Sequence, residues 1–252
     1  MPFTFAHPLY AAPLKLVKPG MVSLTGLILG SLSPDFEYFI ALEPYQTIGH
    51  SGLGLLIQAI PLSLLLALLF HYLIKAPLAD HLPGFLGLSG KAKGIIDRYP
   101  WRMKRWGDWS IFLVSVVIGF ATHVFLDAFT HYGGYFVVRW TILRETLFGF
   151  PVFKLLQHGL SLTGLAVFAI MALVWLRRPS SEDLRDIGRG RVSAKAKLLY
   201  WAIVGLTVVA TSASKLLFST SGNYIGMLVV SPISGFFLGL VLASICARLW
   251  RK

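Results

Sequence analysis

Charge is scarce in this chain, and cysteine scarcer. Only 13% of the 252 residues are Asp, Glu, Lys or Arg, about half the share found in soluble domains. So few charges cannot solvate a whole surface, which argues against a water-soluble globule. The single Cys246 excludes an intrachain disulfide. There is no Walker loop and no dinucleotide fingerprint, and Ser51 beside His50 lacks the elbow motif of a nucleophilic serine. The first residues, "MPFTFAHPLYAAPLKLVKPG", lack the basic start and unbroken apolar core of a secretory leader. Pro2, Pro8, Pro13 and Pro19 interrupt them. No internal repeat or low-complexity tract is evident.

Apolar runs are what the chain has in abundance. Hydrophobic residues make up 56% of it. Six segments approach the ~20 residues that cross a bilayer as a helix. They are Met21–Leu42, Leu53–Lys75, Trp109–Thr130, Gly159–Leu176, Leu198–Leu217 and Tyr224–Leu249. The expected fold is an all-α, polytopic transmembrane bundle of about six spans, with residues 1–252 forming a single integral membrane domain. With the N-terminus inside, all but four of the 23 basic residues fall in inner segments, the exceptions being Arg139, Arg144, Lys154 and Lys215. That bias places both termini in the cytoplasm. It also accounts for the formal charge of +12 without a nucleic-acid partner, and no groove-reading or aromatic-basic module accompanies the charge.

The loops carry weaker signals. The inner stretch "RYPWRMKRWGDW" suits an interface with anionic headgroups. The polar loop "RRPSSEDLRDIGRGRVSAKAK" offers a helix start near Ser180 or Ser181, with Glu182 and Asp183 in its first turn. The outer segment Tyr132–His158 is expected to form short amphipathic helices on the membrane surface, with Trp140, Phe148, Phe150 and Phe153 at the interface.

Chemistry concentrates in "GFATHVFLDAFTHYGG". At 100° per residue, His123, Asp127 and His131 fall within an arc of about 80°. They form one polar stripe on an apolar helix, in the outer half of the bilayer. Ionisable residues in spans are costly and face an interior or a water-filled cavity. Phe125 and Phe129 lie roughly opposite and should pack on apolar surface. Asp35 and Glu37 occur late in the first apolar segment, where Pro34 removes an amide donor and breaks regular helix. His50 opens the second span, and Gln157 and His158 the fourth. Imidazole and carboxylate together suit zinc, manganese or iron. His71 reads instead as a helix–helix hydrogen-bonding residue, and His81 as a solvated loop residue. A structural polar network remains an alternative for the stripe.

"MPFTFAHP", "LGSLSPDFEYF", "GHSGLGL" and "HVFLDAFTH" together resemble the DUF4184 family of bacterial membrane proteins, in order and along nearly the whole chain. Their shorter motifs also distantly resemble the DUF457-type membrane-bound metal-dependent hydrolases. That likeness implies a metal site of His7, Asp35, His50, His123 and Asp127. His7 can join only if the N-terminal segment is re-entrant, turning near Pro13–Gly20. The reading that results is a metal-dependent hydrolase of the bacterial inner membrane, holding a divalent ion (Zn, Mn or Fe). Asp35, His50, His123 and Asp127 are its preferred ligands, His7 and His131 the next, and Glu37 the general base. Expected partners are membrane lipids and an amphiphilic or phosphoester substrate. The alternative is a non-enzymatic membrane protein, a transporter or a structural or lipid-binding partner. In that case the stripe would serve as a proton relay or packing network.

Overall fold

The computed structural model describes residues 3–101, 103–177 and 192–250. The helix start expected near Ser180 or Ser181 lies outside them. The described chain is mostly helical and holds almost no strand, as expected. Among the described residues, five helices are long and apolar enough to cross a membrane: Gly52–His81, Trp106–Arg139, Val152–Arg177, Ala194–Phe218 and Tyr224–Leu249. Large apolar side chains such as Leu206 and Ile225 point outward, 70% and 80% exposed. Such a surface is stable only against lipid or another apolar layer.

The first apolar segment is the broken one. Helix Leu24–Leu32 gives way to a 3-10 turn, Ser33–Asp35, before helix Phe36–Ala41 resumes. Pro34 is the cause: it cannot donate to the preceding turn, and it sits buried at the break. The fourth apolar segment begins earlier than expected, at Val152 rather than Gly159. Before it, residues 132–151 hold a short α-helix, Tyr135–Arg139, a 3-10 turn, Thr141–Leu143, and a small hairpin pairing Thr146 with Pro151 and Leu147 with Phe150. Both turn residues have positive φ, Phe148 at 53° and Gly149 at 81°, the signature of a primed two-residue turn. Phe125 and Phe129 pack edge to face at 5.2 Å, and Phe129 stacks on Phe136 at 4.0 Å.

The chain divides into two compact units. The first comprises Met1–Phe36, Thr47–Ala67 and Met103–Trp175. Its centre is the close approach of helix Leu24–Leu32 to helix Trp106–Thr130. A Cβ on Gly30 would lie 2.2 Å from the Val116 carbonyl oxygen, and one on Gly119 would lie 2.4 Å from that of Leu27. Only small residues allow two helix backbones to meet so closely. Ser23 caps the shorter helix, accepting from the Gly26 amide, and its own amide donates to Ser115 Oγ at 2.8 Å. The N-terminal turns Thr4–Ala6 and Pro8–Ala11 pack in this unit, with Ala6 and Ala11 fully buried. Tyr10 donates to the Leu160 carbonyl at 2.8 Å, and Gly164 makes room for Ala6.

The neighbouring backbone atoms have no freedom to retreat. Gly30→Val is therefore expected to cost at least the ~1–3 kcal/mol of an overpacked core. Gly159 has nothing within 4 Å of a new Cβ, so Gly159→Ala should be neutral or stabilise by up to about 1 kcal/mol. Thermal unfolding in detergent separates the two, and equal midpoints would contradict the packing argument.

The second unit comprises Glu37–Gln46, Leu68–Arg102 and Leu176–Lys252. Helices Ala194–Phe218 and Tyr224–Leu249 pack through Gly235 and Gly239 against Val208 and Val204. Ile74, Tyr200, Val204, Leu240, Ala243 and Ala247 form its core. Here the expectation for His81 fails. The residue is buried, donates from Nδ1 to the Pro77 carbonyl at 2.7 Å, and stacks on Tyr200 at 4.5 Å. Helix Lys75–His81 continues the preceding apolar helix to this point, so His81 ends a helix rather than entering solvent. His71 stacks on Trp101 at 4.3 Å.

Candidate metal centre

All the residues of the candidate centre belong to the first unit. Helix Trp106–Thr130 supplies His123 and Asp127, both buried and one turn apart. The broken segment supplies Asp35 from its 3-10 turn. His50 stands just before the N-cap Ser51 of helix Gly52–His81. His7 arrives from the N-terminal turns and stacks on His123, ring centroids 3.6 Å apart.

The atoms that converge are electron-rich. His50 Nε2 lies 3.2 Å from His123 Nε2 and 3.2 Å from Asp127 Oδ2. His123 Nε2 is also 3.2 Å from Asp127 Oδ2. Asp35 Oδ1 lies 3.8 Å from each of the two Nε2 atoms. A tetrahedral ion bound at about 2.0–2.2 Å separates adjacent ligand atoms by about 3.3–3.6 Å, and the observed spacings bracket that interval.

Outer contacts fix which atom of each residue faces inward. His123 Nδ1 is 2.7 Å from the Ser31 carbonyl oxygen. A carbonyl only accepts, so Nδ1 carries the proton and Nε2 presents a lone pair to the cluster. Thr4 Oγ1 donates to Asp35 Oδ2 at 2.6 Å, leaving Oδ1 toward the imidazoles. The glycine contacts are what bring Ser31 over His123, because they set how closely the two helices lie.

A buried His7 supports a cation here. Neither of its ring nitrogens makes a hydrogen bond, and its Nε2 faces Asp127 Oδ1 at 3.6 Å. Burial first, and the neighbouring His123 second, push the His7 imidazole down to about 2. It is therefore neutral, the form that binds metal. Two groups of three residues hold ligand atoms within 4.8 Å of one another: His7, His123 and Asp127; and Asp35, His50 and His123. This His/Asp cluster could hold a divalent ion.

The remaining expected site residues fall elsewhere. His131 ends the helix as its C-cap, with Nδ1 3.4 Å from Asp127 Oδ1. Glu37 is buried in helix Phe36–Ala41, belongs to the second unit, and is in neither convergent group. His158 is exposed on its helix. Its neighbour Gln157 is buried and reaches His131 Nε2 at 3.3 Å. Thr4 and Ser31 were not singled out from the sequence. Thr4 stands three residues before His7, one turn of 3-10 helix, and that spacing was its only local signal. Ser31 acts through its backbone, which leaves no residue-type signature.

Comparison with curated proteins and with solved structures finds no match. A family model does match, over residues 1–245, and its description is a domain of unknown function, DUF4184. With nearly the whole length matched, the chain belongs to the DUF4184 family.

Proposed function

We propose that the chain is a metal-dependent hydrolase embedded in the bacterial inner membrane, with Asp35, His50, His123 and Asp127 holding one divalent ion. The observation that carries this reading is that His50 Nε2 and His123 Nε2 each lie beside both carboxylates, 3.2 Å from Asp127 Oδ2 and 3.8 Å from Asp35 Oδ1, with His123 locked by Ser31 in the metal-binding tautomer. A mixed nitrogen and oxygen set suits zinc, manganese or iron. When bound, such an ion acidifies a water and polarises an ester oxygen. The protein's part is to hold the donor atoms at fixed spacing and to tie the outward atoms of His123 and Asp35, through the Ser31 carbonyl and the Thr4 hydroxyl. The substrate class is an amphiphilic phosphoester taken from the outer leaflet, with Arg139, Arg144 and Lys154 drawing its anionic group.

The test is hydrolysis of a chromogenic phosphodiester by protein in lipid nanodiscs. Turnover should require added Zn, Mn or Fe(II), stop with chelator, and fall by at least ~100-fold in Asp127→Ala. Metal binding without turnover of any phosphoester or carboxyester would remove the enzyme reading. Orientation has its own test, in a Cys246→Ser background. Phe148→Cys should label in intact cells with an impermeant maleimide, and Ile95→Cys only after lysis. The opposite pattern would invert the topology.

A further inference from the structure

His131 is the one histidine of the stripe whose tautomer can be read outward from an unambiguous donor. Lys154 Nζ lies 2.9 Å from Gln157 Oε1. An ammonium only donates, so that amide oxygen is occupied as an acceptor and the amide NH2 must point the other way. It points at His131 Nε2, 3.3 Å distant. Nε2 therefore accepts, and the proton of the neutral ring sits on Nδ1. That N–H faces two oxygens, Asp127 Oδ1 at 3.4 Å and Thr130 Oγ1 at 3.4 Å. The Thr130 hydroxyl spends its own proton on the Leu126 carbonyl at 3.1 Å, so it is free to accept. Every donor in the series meets an acceptor, and turning the Gln157 amide or the His131 tautomer the other way creates a donor–donor clash, while the Thr130 hydroxyl has Asp127 Oδ1 at 3.5 Å as a second acceptor.

From this we infer that His131 is a positioning residue and not a metal ligand: the relay Lys154–Gln157–His131 aims an N–H at Asp127 Oδ1 and so turns Oδ2 toward His50 and His123. The inference rests on the reading of the cluster as a metal centre. It parallels what Thr4 does for Asp35 and the Ser31 carbonyl does for His123. Two carboxylates and one imidazole each have one atom tied in this way, while Asp35 Oδ1, Asp127 Oδ2 and His123 Nε2 lie toward His50 Nε2. Outer partners of this kind set metal affinity within about 10–100-fold. The relay also reaches the surface, because His131 has 44% of its side chain exposed and Lys154 is exposed.

Cobalt(II) is the probe, since its visible spectrum reports the ligand set directly. Wild type, His131→Ala, His131→Asn and Gln157→Leu are each loaded in detergent, and affinity is measured by chelator competition. Asn places its amide NH2 where Nδ1–H stood. His131→Asn should then bind cobalt within about threefold of wild type, while His131→Ala and Gln157→Leu weaken by about 10–100-fold. All four spectra should coincide in band position and intensity once saturated. A shifted spectrum in both His131 variants, with His131→Asn as weak as His131→Ala, would make His131 a ligand and overturn the inference. A wild type that takes up no cobalt would instead defeat the metal reading itself, and this inference with it.

Discussion

His123→Ala is expected to abolish metal binding, lowering affinity by well over 100-fold. The change removes one donor atom, the ring on which His7 stacks, and the contact to Ser31 at once. Outer-partner losses alone reach about 10–100-fold, and a lost direct ligand adds to that. His123→Gln is expected to lose as much, because an amide cannot offer a nitrogen lone pair while donating to Ser31. Chelator competition with Zn2+ measures both. Retention of affinity within tenfold in His123→Ala would show that the ion is held elsewhere.

The second large effect is a reversal of stability with metal. Asp35 and Asp127 share the same two imidazole neighbours. Without a cation, two carboxylates so placed repel, and burial adds to the cost of charging either. Asp127→Asn relieves that, so with chelator it should unfold at the same temperature as wild type or above it. With metal the order should invert. An ion at a hundred times its dissociation constant stabilises the folded state by about 2.7 kcal/mol, which Asp127→Asn largely forfeits. Unfolding in detergent with and without Zn2+ tests the crossing. Parallel shifts in both proteins would mean that the carboxylates do not share an ion.

The helical architecture was legible because hydropathy reports it directly: apolar runs near bilayer length leave helix as the way to satisfy the backbone. His123 and Asp127 were legible for a related reason, since ionisable groups four apart on such a run mark one inward face. Pro34 announced the break that turns Asp35 inward. Other features left weaker traces. "GLILG" carries the close approach at Gly26 and Gly30, but its partner Gly119 lies 89 positions beyond Gly30 in the sequence. The Ser31 carbonyl that fixes the His123 tautomer belongs to the backbone and has no residue-type signature. Gln157 and His158 are adjacent polar residues at a helix start misplaced by seven positions, from Gly159 to Val152. Only the helix phase decides that Gln157 turns in and His158 out. His81 was misread because it lies beyond the apolar run that ends at Lys75, whereas the chain continues helically through it.

The central claim is that one divalent ion sits among Asp35, His50, His123 and Asp127. Elemental analysis by mass spectrometry of detergent-purified wild type beside Asp127→Ala addresses it most directly. The expected result is about one zinc, manganese or iron per wild-type chain and less than a tenth of that in a monodisperse Asp127→Ala. Equal metal content in the two proteins, or none in wild type even after reconstitution with each of the three ions, would contradict it.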